Sequence, residues 1–166
     1  MLLIAIGANL PGAAGVSPRV TCDLAVRALR NLPGIRFTKV SRWYRSVPVP
    51  RDDAQPDYCN GVARFEGEAE PGGLLAALHA IEATFGRTRG VANAARTLDL
   101  DLIDCNGRVC TDASLVLPHP RAHLRAFVLQ PILDIAPDWV HPVSGMTAAA
   151  LLEALPGSAT VPMTPW

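Results

Sequence analysis

Apolar and polar positions alternate along the chain in blocks that change period. Leu2 to Ile6 is an unbroken apolar run, read as a short buried strand that ends in the turn-rich segment Gly7-Ala8-Asn9-Leu10-Pro11-Gly12. Ser17 followed by Pro18 predicts a helix start, and Val20, Leu24, Ala28 and Leu29 predict its apolar face, with a stop between Asn31 and Gly34. Ile35 to Tyr44 reads as one strand, and Tyr58 to Phe65 as another. Pro71 opens an amphipathic helix with Leu74, Leu78, Ile81 and Phe85 on one stripe and Gly86 as its stop. A strand from Thr97 to Cys105 is expected to turn at Asn106-Gly107 into a short return strand near Val109. Helices are predicted over Phe127 to Ile135 and Thr147 to Leu155, before a Pro-rich end.

The order β-α-β-β-α-β with additions predicts an α+β fold, a ferredoxin-like split β-α-β sandwich with an extra hairpin and C-terminal helices. At 166 residues, with no repeat or linker, the chain reads as one domain over 1–166. Fifteen basic and fifteen acidic side chains cancel, so no overall field points to nucleic acid or an anionic membrane, and any anion must be held locally. The apolar runs are too short for a signal peptide or a membrane span, so the expectation is a cytoplasmic protein. Cys22, Cys59, Cys105 and Cys110 have no zinc-like spacing and are read as reduced thiols; across the expected hairpin, Cys105 would face Arg108 rather than Cys110.

The densest chemistry is Arg96-Thr97-Leu98-Asp99-Leu100-Asp101-Leu102. On a strand, residues two apart share a face, so the three leucines point inward while Asp99 and Asp101 point out together, about 7 Å apart. Asp is a poor strand former, and two like charges side by side need a counter-charge; paired carboxylates on a rigid face suit Mg²⁺. The plain alternative is the polar side of a half-buried strand. Arg87, Arg89 and Arg96 precede the pair, and His119, Arg121, His123 and Arg125 follow it, as a polyphosphate clamp would require. No Walker A motif is present, so arginines and metal would have to replace the Gly-rich cradle. Tyr58 and Asn60 share a strand face, a flat ring beside an amide, which suits a planar heterocycle with an amide-like edge. His79 and His141 read as structural. A two-metal phosphohydrolase and a non-catalytic ligand-binding module remain alternative readings of the same residues.

Taken in order, these segments resemble the 6-hydroxymethyl-7,8-dihydropterin pyrophosphokinase family. The resemblance runs through Ile4 to Leu10, Ser41 to Ser46, Gln55 to Asn60, Ile81-Glu82, Gly86-Arg87, Arg96 to Leu102, Leu117-Pro118-His119-Pro120 and Arg125 to Leu129. It implies attack of a pterin hydroxymethyl oxygen on the β-phosphorus of ATP, with AMP leaving, in folate biosynthesis. It implies that Asp99 and Asp101 hold two Mg²⁺ ions and that Arg87 and Arg96 meet the phosphates. Glu82, Arg89, Arg96, His119 and Arg125 match ATP-side positions. Ser46, Val47, Val49, Tyr58, Asn60 and Phe127 match the pterin pocket. The resemblance further implies a monomer with ATP and the pterin as its only small-molecule partners, and two segments, Pro48 to Gln55 and Arg87 to Ala95, that close over substrates. Two departures stand out: Val91-Ala92-Asn93-Ala94-Ala95 lacks a Trp common there, and His79 replaces a common Gln.

Overall fold

Leu2–Ala8 forms β1, which pairs antiparallel with Tyr58–Gly67 (β4) on one side and Asp99–Cys105 (β5) on the other. Flanked on both sides, β1 is buried on both faces, which is why its sequence is apolar without alternation. Ile35–Val40 (β2) and Tyr44–Ser46 (β3) pair with successive parts of β4, and Thr164–Pro165 adds an edge strand beside β3. The sheet order is thus β5-β1-β4-β3 and then the C-terminal strand, with β2 also on β4. The computed structural model describes residues 1–49, 53–87, 95–156 and 163–166.

Four helices cover the sheet. Pro18–Leu29 (α1) begins where Ser17 Oγ accepts the Val20 N–H at 3.4 Å. Pro71–Thr84 (α2) begins where the Glu70 carboxylate accepts the Gly73 N–H at 2.7 Å, and each has proline in its first turn, where the missing N–H costs nothing. Both pack on the face that carries Leu2, Ile4, Ile6, Leu98, Leu100 and Leu102. Ala126–Ile135 (α3) and Ala148–Glu153 (α4) cover Leu3, Val62 and Ile103 on the other face. Asp99 and Asp101 lie on that second face, opposite Gly7 and Ala5 of β1, beyond the apolar patch that α3 covers.

Three expectations need correction. The buried face of α1 is Thr21, Cys22, Ala25, Val26 and Leu29, whereas Val20 and Leu24 are exposed. Small side chains let the helix approach the sheet closely, so the stripe containing Cys22 and Ala25 turns inward. Ile35 to Tyr44 is two strands, because Ser41 Oγ takes the Val62 N–H at 3.0 Å and Trp43 turns in under Gly61, where a Cβ would lie 2.6 Å from its ring. At Asn106 and Gly107, φ is 55° and 69°, as a tight turn of this type requires. Yet no return strand pairs with β5: Cys110–Asp112 (β6) pairs instead with Leu115–Leu117 (β7), and Val109 is in neither. Asp104 accepts the Gly107 N–H at 2.8 Å and Asn106 donates to the Gly67 carbonyl at 3.0 Å, which fastens the turn to its own strand and to β4. The Pro-rich end carries an edge strand (β8, Thr164–Pro165), a place where proline's missing donor is tolerated. All four cysteines are free thiols.

Candidate active site

Where α3 stops covering the sheet, a cavity of about 340 Å³ opens over the ends of β1, β4 and β5. Its floor is Ala5 and Gly7 of β1, Asn60 of β4, and Asp99 and Asp101 of β5. Gly7 is needed here, since a Cβ would sit 2.9 Å from Asn60 Oδ1. Asn60 is 8% exposed and donates from Nδ2 to Ser46 Oγ at 2.7 Å, so one amide edge is held by β3 beneath the cavity.

One wall is aromatic and apolar: Tyr58, Phe127, Val47, Pro48 and Val49. Burial pushes the Tyr58 phenol above its ordinary range, so it stays protonated and can donate. A second part of the lining, the basic wall, is made by Arg96, Arg121 and Arg125. Arg125 also stacks over the Phe127 ring at 5.4 Å, and so joins the two walls.

The two carboxylates have different surroundings. Asp99 is gripped by Arg87 Nη1 at 2.6 Å on one oxygen and by Arg96 Nη1 at 2.6 Å on the other. Arg87 Nη1 also bonds Glu82 Oε1, and the same Glu82 oxygen accepts the Leu100 N–H at 2.8 Å. Asp101 has its basic neighbours at longer range, His119 Nε2 at 3.6 Å and Arg125 Nη1 at 3.8 Å. Both exceed ordinary hydrogen-bond length. Burial, then the charge on Asp99, pushes the Asp101 carboxyl above its ordinary range, with His119 and Arg125 opposing. Burial lowers the pKa of His119, and its Nδ1 accepts the Arg121 N–H at 3.1 Å, so the neutral ring keeps its proton on Nε2, facing Asp101.

Of the residues expected from sequence, Arg96, Asp99, Asp101, Arg125, Ser46, Val47, Val49, Tyr58, Asn60 and Phe127 all line this one cavity. Arg87 and His119 sit just behind it, against Asp99 and Asp101. Glu82 corrects its assignment to direct ATP contact: it is 1% exposed, on the α2 side of β5, where it holds Arg87 and the strand backbone. Its acid is buried because a strand N–H and a guanidinium both need it. Arg89 lies outside the described residues, as do 50–52 of the first expected closing segment and 88–94 of the second. Gly7, Gln55 and Arg121 also line the cavity without having been assigned a ligand. Only Arg121 had a signal, its place among the basic side chains after the turn.

Oxygen donors in a pair, on a rigid strand and open to a cavity, suit a hard divalent cation. Among the described residues no group of three or more His, Cys, Asp or Glu could enclose a metal. A cation held by these two carboxylates would take its remaining oxygens from a ligand or from water, the way Mg²⁺ is ordinarily held beside phosphates.

The profile of the family described as 7,8-dihydro-6-hydroxymethylpterin-pyrophosphokinase (HPPK) matches residues 3–137. The chain is 43% identical over 141 residues to a 2-amino-4-hydroxy-6-hydroxymethyldihydropteridine pyrophosphokinase of Synechocystis, covering 85% of this chain and 71% of the relative. The enzyme of that name from Pseudomonas aeruginosa is 39% identical over 153 residues, 92% of this chain and 90% of the relative. Among solved structures, Plasmodium falciparum HPPK-DHPS superposes with a TM-score of 0.65 at 13% identity, over 92% of this chain and 43% of that one. That last likeness concerns the fold.

Proposed function

Since the chain belongs to the 7,8-dihydro-6-hydroxymethylpterin-pyrophosphokinase family, we propose that it transfers the diphosphate of ATP to the hydroxymethyl group of 6-hydroxymethyl-7,8-dihydropterin, releasing AMP, in folate biosynthesis. The observation that carries this reading is that one cavity is lined at once by an aromatic and apolar group, a basic group and two carboxylates. A pterin would stack against Tyr58 and Phe127, with its amide-like edge toward Asn60 and the backbone of Ser46 to Val49. A triphosphate would face Arg96, Arg125 and His119, with Arg87 and Arg89 closing from the preceding segment. Glu82 would act by holding Arg87 and β5 in place.

In the reaction, the hydroxymethyl oxygen bonds to the β-phosphorus, the bond from that phosphorus to the α,β-bridging oxygen breaks, and AMP departs with that oxygen. The hydroxyl proton leaves to solvent. Asp99 and Asp101 would hold Mg²⁺, which supplies positive charge against the triphosphate oxygens. Arg87 and Arg96, both paired to Asp99, would turn to the same oxygens. Their contribution is positional and electrostatic, as in phosphoryl transfer generally.

The reading extends to the fold, where the strand order β5-β1-β4-β2 with α1 and α2 on one face supports a ferredoxin-like core. It also includes a monomer acting in the cytoplasm; among the described residues no helix is long and apolar enough to cross a membrane. The test is AMP release from ATP, assayed with and without Mg²⁺ and with and without the pterin. The proposal requires both. AMP or ADP release without pterin would favour a phosphohydrolase, and no turnover by folded protein would favour a binding module.

A further inference from the structure

Asn9 lies one residue past the end of β1, is 1% exposed, and does not line the cavity. At that point the strand ladder has ended on both sides, with Pro56 just ahead of β4 and Arg96 just ahead of β5. The Asn9 side chain spans the gap. Its Oδ1 accepts the Arg96 N–H at 2.7 Å, and its Nδ2 donates to the Pro56 carbonyl at 3.2 Å. The backbone N–H groups of Asn9 and Leu10 both donate to the Arg96 carbonyl, each at 3.0 Å.

We propose that Asn9 is a positioning residue for the diphosphate transfer: its side chain clamps the basic wall to the aromatic wall and so sets the distance between the two substrates. The proposal rests on the function given above. Arg96 reaches the carboxylate floor through Asp99, and Pro56 leads directly into Tyr58. One side chain is thus bonded to the backbone of both walls. The orientation of the amide is forced, because an N–H must face an acceptor and a carbonyl must face a donor. Asn carries its donor and its acceptor on separate atoms, so a single short side chain meets both partners. A carboxylate keeps the acceptor for Arg96 and turns a second oxygen onto the Pro56 carbonyl.

That asymmetry gives a test that a merely structural residue would not pass. In Asn9→Asp the Arg96 side is kept, and in Asn9→Ala both side-chain bonds are lost while the backbone bonds to Arg96 remain. Steady-state kinetics of both variants should then split by substrate. Misplacement of one substrate costs rate steeply, so Asn9→Asp should raise the KM for the pterin about tenfold. Its KM for ATP should stay within about twofold of wild type, and Asn9→Ala should weaken both and lower kcat.

Amide exchange in the substrate-free protein reads the clamp apart from turnover. Exchange at 57–58 should quicken in both variants, and exchange of the Arg96 amide only in Asn9→Ala. The positioning role is overturned if Asn9→Asp leaves both KM values and kcat at the wild-type level, or if it weakens both substrates equally while lowering the melting temperature. Loss of pterin-dependent AMP formation by wild type would instead count against the family function, and the exchange pattern would still decide whether the clamp exists.

Discussion

Asp101 and Asp99 are neighbours with opposite needs. Asp99 has two guanidinium partners at 2.6 Å, while Asp101 has Arg125 and a neutral His119 at longer range and a burial penalty. Asp101→Asn should therefore lower kcat/KM by about 10²–10³, the loss of one preorganised electrostatic group, without lowering the melting temperature near neutral pH. The sign follows from linkage. An acid whose folded pKa is raised binds more protons when folded, so stability falls as pH rises from its unfolded value of 3.8 through the folded one. The variant lacks that slope. Turnover near wild type would remove Asp101 from the chemistry.

Arg87 differs, because Glu82 beneath it is buried. Arg87→Ala takes a charge-assisted hydrogen bond from that carboxylate and should cost about 1.5–3 kcal/mol of stability as well as activity. Glu82→Gln in the same chain removes the buried charge and keeps an acceptor for the Leu100 N–H. Denaturation of the double variant should show less destabilisation than Arg87→Ala alone. Additive losses would mean that the two groups act independently.

Elements meet at defined ties, and the clearest joins α3 to β3. Asp134 accepts the Arg42 N–H at 3.2 Å, Arg42 Nη2 at 2.7 Å and the Tyr44 hydroxyl at 2.9 Å. Burial works to raise its pKa, but these hydrogen bonds prevail and hold the carboxyl below its usual range. Its contribution is present above the unfolded value of 3.8 and is lost as pH falls through the lower folded value. Asp134→Asn should cost about 1–2 kcal/mol at neutral pH, discounted because Arg42 is exposed. The gap from wild type should close in acid. Urea denaturation at a series of pH values measures it, and a gap independent of pH would assign the loss to packing.

Across the whole molecule, a ligand that joins the floor carboxylates to the basic wall adds to stability. A ligand bound only to the folded state raises stability by about 2.7 kcal/mol at a hundred times its Kd. Thermal melts with ATP should therefore rise more with Mg²⁺ than with EDTA, and the difference should vanish in Asp99→Ala. An equal rise with EDTA would take the carboxylates out of metal binding.

The residues that line the cavity were largely legible from the chain because alternation is a local rule. Leucines every second position put Asp99 and Asp101 on one face, and Tyr58 and Asn60 follow the same rule on β4. Strand and helix existence followed from apolar period, and helix starts from Ser17-Pro18 and Pro71. What the chain left open were choices between equally local options. Either stripe of α1 could have faced inward, and the approach distance to the sheet selected the small one. The Asn106-Gly107 turn has its expected backbone, but β6 pairs with β7 across the Ala113-Ser114 turn instead of returning along β5. Glu82 entered only through the family resemblance, and the packing of α2 on β5 shows it as a buried brace. Asn9 showed no periodicity at all, because its partners, Arg96 and Pro56, come together only once β1 is seated between β4 and β5. Sequence by itself determined the elements, the inward faces of the strands and the chemical types at the site, since these depend on neighbours a few residues away. Tertiary structure decided which helix face turned in, which strands paired and which buried polar groups became partners, because those depend on close packing and on hydrogen bonds between distant segments.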